Sequence, residues 1–309
     1  MKKHIVIIGS GPAGLSSALY SIRGGHTVSL LTGNNFGGQL SSITDLGNYP
    51  GVENVSSGVE LAKIMRKQSE DLGTKFITDS MTKIEQLDGV FKVFLADDSF
   101  LKCDSVILAM GVLPRKLGLA DEENLTGRGI SYCSVCDGFF YQKKPVAVIG
   151  GGNSAISDAL YLSRQCSQVY IVIRKSHWAK NVEQILIDKV DNTKNIKVLF
   201  ETSPHNFLKD ENGIVGLSIK DNRNNSIEDL QVDGIFVAIG HIPNTENVKK
   251  FIDCDEDGFI KTVIGSTQTD KNGIFCAGDI RSKTYAQVII ACGLGAQSAI
   301  ECDEFLQTL

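Results

Sequence analysis

One short unit occurs twice in the sequence, and it restricts the fold more than any other feature. Gly9-Ser10-Gly11-Pro12-Ala13-Gly14 is followed by Ala18-Leu19-Tyr20-Ser21-Ile22-Arg23. Shifted by 141 positions, Gly150-Gly151-Gly152-Asn153-Ser154-Ala155 is followed by Ala159-Leu160-Tyr161-Leu162-Ser163-Arg164. Each copy follows an apolar run, 5–8 or 146–149, and leads through an amphipathic stretch to a second apolar run, 27–31 or 169–173. The order reads as strand, glycine turn, helix, strand, the unit that holds a dinucleotide pyrophosphate. The first glycine permits a tight turn, the second lets backbone approach the phosphates, and the third position, Gly14 or Ala155, lets helix and strand pack closely. Unpaired N–H groups and the dipole at the helix N-terminus favour the negative charge. A single glycine pattern arises often by chance; two copies in this context, with shared flanking residues, do not.

Elsewhere short apolar runs alternate with turns. Residues 91–95, 105–109, 196–200, 213–219 and 234–238 read as strands, and 58–72, 155–164, 182–190 and 286–306 as helices. Segments 111–115 and 240–244 each follow a strand and contain Gly and Pro, which marks them as crossings between domains. The expected fold class is α/β: two Rossmann-like three-layer dinucleotide-binding domains, the second inserted into the first. The expected boundaries are 1–113 with 245–309 for the discontinuous domain and 114–244 for the inserted one. A chain of 309 residues has room for both.

Bulk properties exclude several classes of function. The formal net charge is −5 and the Lys and Arg residues are scattered, so no nucleic-acid partner is expected. No run approaches the ~18 apolar residues of a membrane span. The opening residues resemble a secretory leader, but their apolar stretch runs straight into the first glycine turn. A buried strand is the better reading, and a cytoplasmic protein the expectation.

Of the eight cysteines, Cys103, Cys166, Cys254, Cys276, Cys292 and Cys302 stand alone, mostly among apolar residues, as small core side chains do. Cys133 and Cys136 form the one close pair. As half of a zinc site they would need two further ligands, and with no second pair and only single histidines no metal is expected. As a structural disulfide they would be out of place in a reducing cytosol. As a redox pair they fit, because this spacing allows a short-loop disulfide and a lowered thiol pKa. Asp137, next in sequence, is either a general acid for a departing thiolate or a turn and helix-cap residue. Residues 273–279 read as an apolar strand ending in Gly278-Asp279, either a common turn or, with its carboxylate beside a glycine, an ending suited to cofactor hydroxyls. After the second unit's closing run, Arg174 and Lys175 replace the acid that would bind the ribose of NAD. Two cations there favour the 2′-phosphate of NADP, against the alternative of solvated surface charges.

With these motifs in view, the whole chain resembles the low-molecular-weight thioredoxin reductases. The likeness rests on Gly9 to Gly14, Gly37-Gly38-Gln39-Leu40, Asn48-Tyr49-Pro50-Gly51 and Cys133-Ser134-Val135-Cys136-Asp137-Gly138-Phe139-Phe140. Gly150-Gly151-Gly152-Asn153, Gly240-His241-Ile242-Pro243-Asn244-Thr245 and Gly278-Asp279 complete it. The resemblance implies FAD in the discontinuous domain, NADPH in the inserted one, a homodimer, and thioredoxin as the disulfide substrate. It implies Cys136 as the flavin-facing sulfur, Cys133 as the sulfur that attacks substrate, and Asp137 as the acid. It also implies that the inserted domain rotates, since the flavin must meet nicotinamide and disulfide in turn.

For FAD the resemblance implies contacts at Gly9, Gly11, Pro12, Ala13 and Gly14, at Thr32, at Gly38, Gln39 and Leu40, and at Asn48. Ala109, Gly111, Gly278, Asp279, Ala286 and Gln287 complete that set. For NADPH it implies Gly150, Gly152, Asn153, Ser154 and Ala155, then Arg174, Lys175 and Gly240. Some positions depart from the family pattern. Ile173-Arg174-Lys175 stands where His-Arg-Arg is usual, and Ala179 where a further Arg is usual, with Lys180 beside it. Ser134-Val135 replaces Ala-Thr, Met110 replaces Thr, and Ala286 replaces Arg. Other readings of the same residues are a different protein carrier, NADH or ferredoxin as electron donor, and a non-catalytic flavin redox sensor.

Overall fold

The protein is described by a computed structural model that covers residues 2–309 apart from 44, 45, 47, 54, 56, 88, 181 and 282–284. It forms two compact units, Met1–Leu113 with His241–Leu309, and Pro114–Gly240. Residues 241–244, counted with the inserted segment in the sequence reading, pack with the first unit. There Asn244 donates its backbone N–H to the Gly111 carbonyl at 3.1 Å and its side-chain amide to the Met110 carbonyl at 2.8 Å.

In the first unit a five-stranded sheet runs in the order Ile274–Cys276, Ser105–Leu108, His4–Ile8, Thr27–Leu31, Lys75–Ile77. Every pairing is parallel, so both faces must be covered, and the strands are nearly continuous apolar runs. Side chains alternate between the two faces. Ile5 and Ile7 enter a core with the helix Pro12–Arg23 and the C-terminal helix Val288–Leu306, whereas Val6 and Ile8 face Phe91 and Val93. The latter belong to an antiparallel three-stranded meander, Met81–Leu87, Val90–Leu95 and Phe100–Cys103, which forms the third layer. The helix Gly58–Glu70 begins where Ser57 accepts the backbone N–H of Glu60 at 3.3 Å, one half of a capping box.

The second unit repeats the plan. Its parallel sheet runs Ile196–Leu199, Gln168–Val172, Pro145–Ile149, Gly234–Val237, Ile130–Ser131. Val146 and Val148 pack on the helix Asn153–Ser163 through Ala155, Ile156, Ala159 and Leu162. Ala147 and Ile149 face the meander Thr202–Lys209, Ile214–Asp221, Ile227–Leu230 through Phe207 and Leu217. The fold class is therefore α/β with two Rossmann-like three-layer units. Among the described residues no helix is long and apolar enough to cross a membrane.

The expected strands and helices are present, with helix starts moved by two residues. Asn153, Gln184 and Val288 open helices that the pattern placed at 155, 182 and 286. Four meander strands, Met81–Leu87, Phe100–Cys103, Thr202–Lys209 and Ile227–Leu230, were not among the expected elements.

Candidate active site

Both glycine turns are set by backbone contacts that leave no room for a side chain. Gly9 has φ 111°, and a Cβ on it would stand 2.2 Å from the carbonyl oxygen of Ala109. Gly150 has φ 146°, and a Cβ on it would stand 2.4 Å from the carbonyl oxygen of Ala238. The turns are tied alike: Gly9 donates to the Leu31 carbonyl at 2.9 Å and Gly150 to the Val172 carbonyl at 3.1 Å. Each turn is thus wedged between the ends of two neighbouring strands, where a ligand meets an open parallel sheet.

The second glycine of each turn faces open space. Nothing lies within 4 Å of a Cβ built on Gly152, and on Gly11 only the Gly37 carbonyl oxygen, at 3.9 Å. Gly11 caps the helix Pro12–Arg23 and Gly152 caps Asn153–Ser163, neither with a side-chain hydrogen bond. Two helix N-termini therefore present uncapped backbone N–H groups to an approach that a side chain would obstruct, the requirement for a pyrophosphate. Pro12 contributes no N–H, so Ala13 and Gly14 carry that role in the first turn.

Around the first turn the structure brings together most of the expected residues. A Cβ on Gly38 would touch the Cα of Gly11 at 3.5 Å, and the Ser10 hydroxyl joins the Thr32 carbonyl at 3.0 Å to the Gly37 N–H at 3.1 Å. Gln39 donates to the Val112 carbonyl at 2.7 Å, while Leu40 is buried in the core beneath the loop. A Cβ on Gly278 would stand 2.9 Å from that of Ala13, which places Asp279 beside the turn. Burial raises the Asp279 carboxyl to a pKa of about 6. Asn48 donates to Gln287 at 3.3 Å, uniting two expected positions far apart in sequence. Ala286 is exposed, and Gly111 has φ 62° with open space around it.

The second turn carries Asn153, whose side chain accepts from the Glu183 N–H at 3.3 Å, and an exposed Ser154. Ala155 is fully buried against the sheet. Arg174 and Lys175 lie exposed beyond the strand Gln168–Val172, with their carbonyls tied to Asn222 at 3.0 Å and Glu201 at 3.0 Å. Ala179 donates to the Gly151 carbonyl at 2.8 Å, which folds this basic segment over the turn. Gly240, with φ 100°, accepts from the Arg115 N–H at 2.9 Å.

Cys133 and Cys136 form a disulfide with Cα atoms 5.3 Å apart. Cys133 caps the one-turn helix Ser134–Asp137, and its sulfur accepts the Cys136 N–H at 3.2 Å. Both cysteines are half-buried, and beside them Val135, Phe139 and Phe140 are exposed, Phe139 by 68%. Asp137 is half-buried on the same turn and donates its N–H to the Cys133 carbonyl at 3.1 Å. Its negative charge helps to hold the Tyr141 hydroxyl near a pKa of 12, after burial as the larger cause.

Two features of this turn escape the sequence pattern. A Cβ on Gly138 would stand 2.6 Å from Gln165 Nε2 and 2.9 Å from Leu162 Cδ2, so the turn lies flat on the helix Asn153–Ser163. From that helix Asp158 accepts a hydrogen bond from the buried Ser134 hydroxyl. An acid in mid-helix reads as surface charge, and only the fold sets it against the cysteine turn. Of the isolated cysteines, Cys103, Cys166, Cys276, Cys292 and Cys302 are buried thiols and Cys254 is half-buried.

The sequence profile of pyridine nucleotide-disulphide oxidoreductases matches residues 3–295. A thioredoxin reductase of Coxiella burnetii is 37% identical over 99% of this chain and 97% of its own length. One of Escherichia coli is 38% identical over 99% of this chain and 98% of its own. The crystal structure of thioredoxin reductase from Streptococcus pyogenes superposes with a TM-score of 0.91 at 31% identity, covering 100% of both chains.

Proposed function

The chain belongs to the pyridine nucleotide-disulphide oxidoreductase family and has thioredoxin reductase function, and on that premise we propose that electrons pass from NADPH through FAD to Cys133–Cys136. The observation that carries the route is the pairing, within one unit, of a redox disulfide with an open glycine turn. The redox turn rests on the very helix whose first N–H groups face that opening.

The first unit supplies the flavin cradle. Gly11, Ala13 and Gly14 bind phosphate through backbone, Asp279 accepts from cofactor hydroxyls, and Asn48 with Gln287 lines the same side. Gly9, Pro12, Thr32, Gly38, Gln39, Leu40, Ala109, Gly111, Gly278 and Ala286 shape the rest. The second unit supplies the nucleotide cradle from Gly150, Gly152, Asn153, Ser154, Ala155 and Gly240, with Arg174 and Lys175 on the 2′-phosphate. Bound there, flavin and nicotinamide would supply two-electron transfer to the disulfide.

Once the pair is reduced, Cys133 attacks the disulfide of a thioredoxin, forming a mixed disulfide and displacing one partner sulfur. Asp137, having taken the proton that Cys133 loses on becoming the attacking thiolate, gives it to that sulfur. Cys136 then attacks Cys133, re-forming the internal bond and freeing the second partner sulfur. Exposed Val135, Phe139 and Phe140 offer apolar surface to such a protein. The family resemblance also supports a homodimer working in the cytoplasm.

Anaerobic mixing of the FAD-loaded protein with NADPH and with NADH tests the donor. Flavin bleaching by NADPH, followed by turnover of a thioredoxin that Cys136→Ser abolishes, is the expected result. Bleaching by neither nucleotide while dithionite succeeds would remove the nicotinamide from the route.

A further inference from the structure

Asp158 takes no part in the reaction above, yet it is the acid built into the back of the redox turn. It is the only charged residue of the helix Asn153–Ser163. Among the described residues its one hydrogen-bond partner is the Ser134 hydroxyl. Ser134 is 2% exposed, lies between Cys133 and the rest of the turn, and accepts the Gly138 N–H through its own carbonyl. The Ser134 side chain therefore ties the turn to the helix, and the tie ends on a carboxylate rather than on a neutral acceptor. Asp137, the other carboxyl of this region, sits at the far end of the same turn.

We propose that Asp158, acting through Ser134, is a positioning residue for the redox pair: it anchors the turn in both redox states and sets a fixed negative charge behind the two sulfurs. The inference rests on the assignment of Cys133 and Cys136 as the redox pair. Reduction of their bond takes two electrons and breaks the S–S bond. With two protons it leaves two thiols; with one proton it leaves a thiol and a thiolate. A nearby carboxylate in a poorly solvated place disfavours the thiolate. Asp158 thus holds the reduced pair as thiols, which destabilises it relative to a thiolate form and keeps it a stronger reductant. Burial raises Asp158 to a pKa of about 6, so the charge is present at neutral pH.

The test is the thiol–disulfide equilibrium of the pair in the intact holoenzyme at pH 8, against reduced and oxidised dithiothreitol. After an acid quench and alkylation, the mass of the peptide carrying both cysteines reports the reduced fraction. Asp158→Asn keeps the shape and an acceptor for Ser134 but removes the charge. It is expected to shift the equilibrium toward the reduced pair about tenfold, about 30 mV for a two-electron couple. Ser134→Ala leaves the buried acid without a partner, favours its neutral form, and is expected to shift the equilibrium in the same direction by less. Both variants staying within twofold of the parent would overturn the proposal, because a tie equally strong in both redox states leaves this equilibrium unmoved and only the charge would shift it. If the parent pair itself does not titrate, the redox assignment fails and the inference with it. A titrating parent with unmoved variants sinks the inference alone.

Discussion

A Cβ on Gly14 would stand 1.8 Å from the carbonyl oxygen of Gly9, so the first glycine turn is closed on its own helix by bare backbone. The turn is thereby closed without help from any side chain. Gly14→Ala forces backbone apart, and overpacking of this kind costs about 3 kcal/mol. Thermal melts should show a large fall in Tm, and the purified variant should retain little flavin.

Gly152 makes the opposite prediction. Nothing lies within 4 Å of a Cβ there, and its φ of −105° suits any residue. Gly152→Ala should melt within a few degrees of the parent while the KM for NADPH rises by about tenfold or more. An unchanged KM would show that the second turn does not meet the pyrophosphate.

Arg174 and Lys175 are exposed cations beyond a strand end, and on the proposed function they would meet the 2′-phosphate of NADPH. Replacing both with alanine removes that attraction without touching the core. Steady-state assays should show the KM for NADPH raised by about one to two orders of magnitude and that for NADH little changed. Equal losses with both nucleotides would point to a disturbed fold.

Gly138 lies against the side-chain ends of Gln165 and Leu162, which a methyl group would have to displace. Gly138→Ala should push the ends of the Gln165 and Leu162 side chains aside and disturb the seat of the Cys133–Cys136 turn, while leaving the other unit intact. Thioredoxin turnover is expected to fall by about two- to fivefold with flavin content unchanged.

Asp158 also predicts a pH dependence of stability. Its folded pKa, raised by burial to about 6, exceeds the ordinary aspartate value of 3.8. The folded chain therefore holds the proton more tightly than the unfolded one between those limits. Stability from this group is complete below about pH 4 and is lost as pH rises through about 6, by about 2–3 kcal/mol. Urea melts of parent and Asp158→Asn across pH 4–7 should diverge in that window, with the variant the flatter of the two.

The duplicated turns were legible because strand, glycine and helix signals all fall within thirty residues and act locally. The meanders were harder. Register shifts between Met81 and Lys83, and between Pro204 and Asn206, break the period-two alternation that marks a strand. In Ile227–Leu230 only Leu230 is buried, so that edge strand has no alternating face. The close approach of Asn48 to Gln287, and of Ser134 to Asp158, depends on tertiary packing that no local pattern encodes. Gly138 looks in sequence like a turn glycine, whereas its constraint comes from a helix more than twenty residues away.

The isolated cysteines bear on how such a chain survives its own trade. Burial pushes the Cys166 thiol up to about 11 and those of Cys103 and Cys302 up to about 12. At neutral pH only about one part in ten thousand or fewer of these groups is the reactive anion. A peroxide or an electrophile that meets the protein finds these thiols chemically silent. Cys133 and Cys136 stand apart from these thiols, half-buried on their turn and already joined as a disulfide, and on the proposed route that oxidised state would be a stage of turnover that the next pair of electrons reverses.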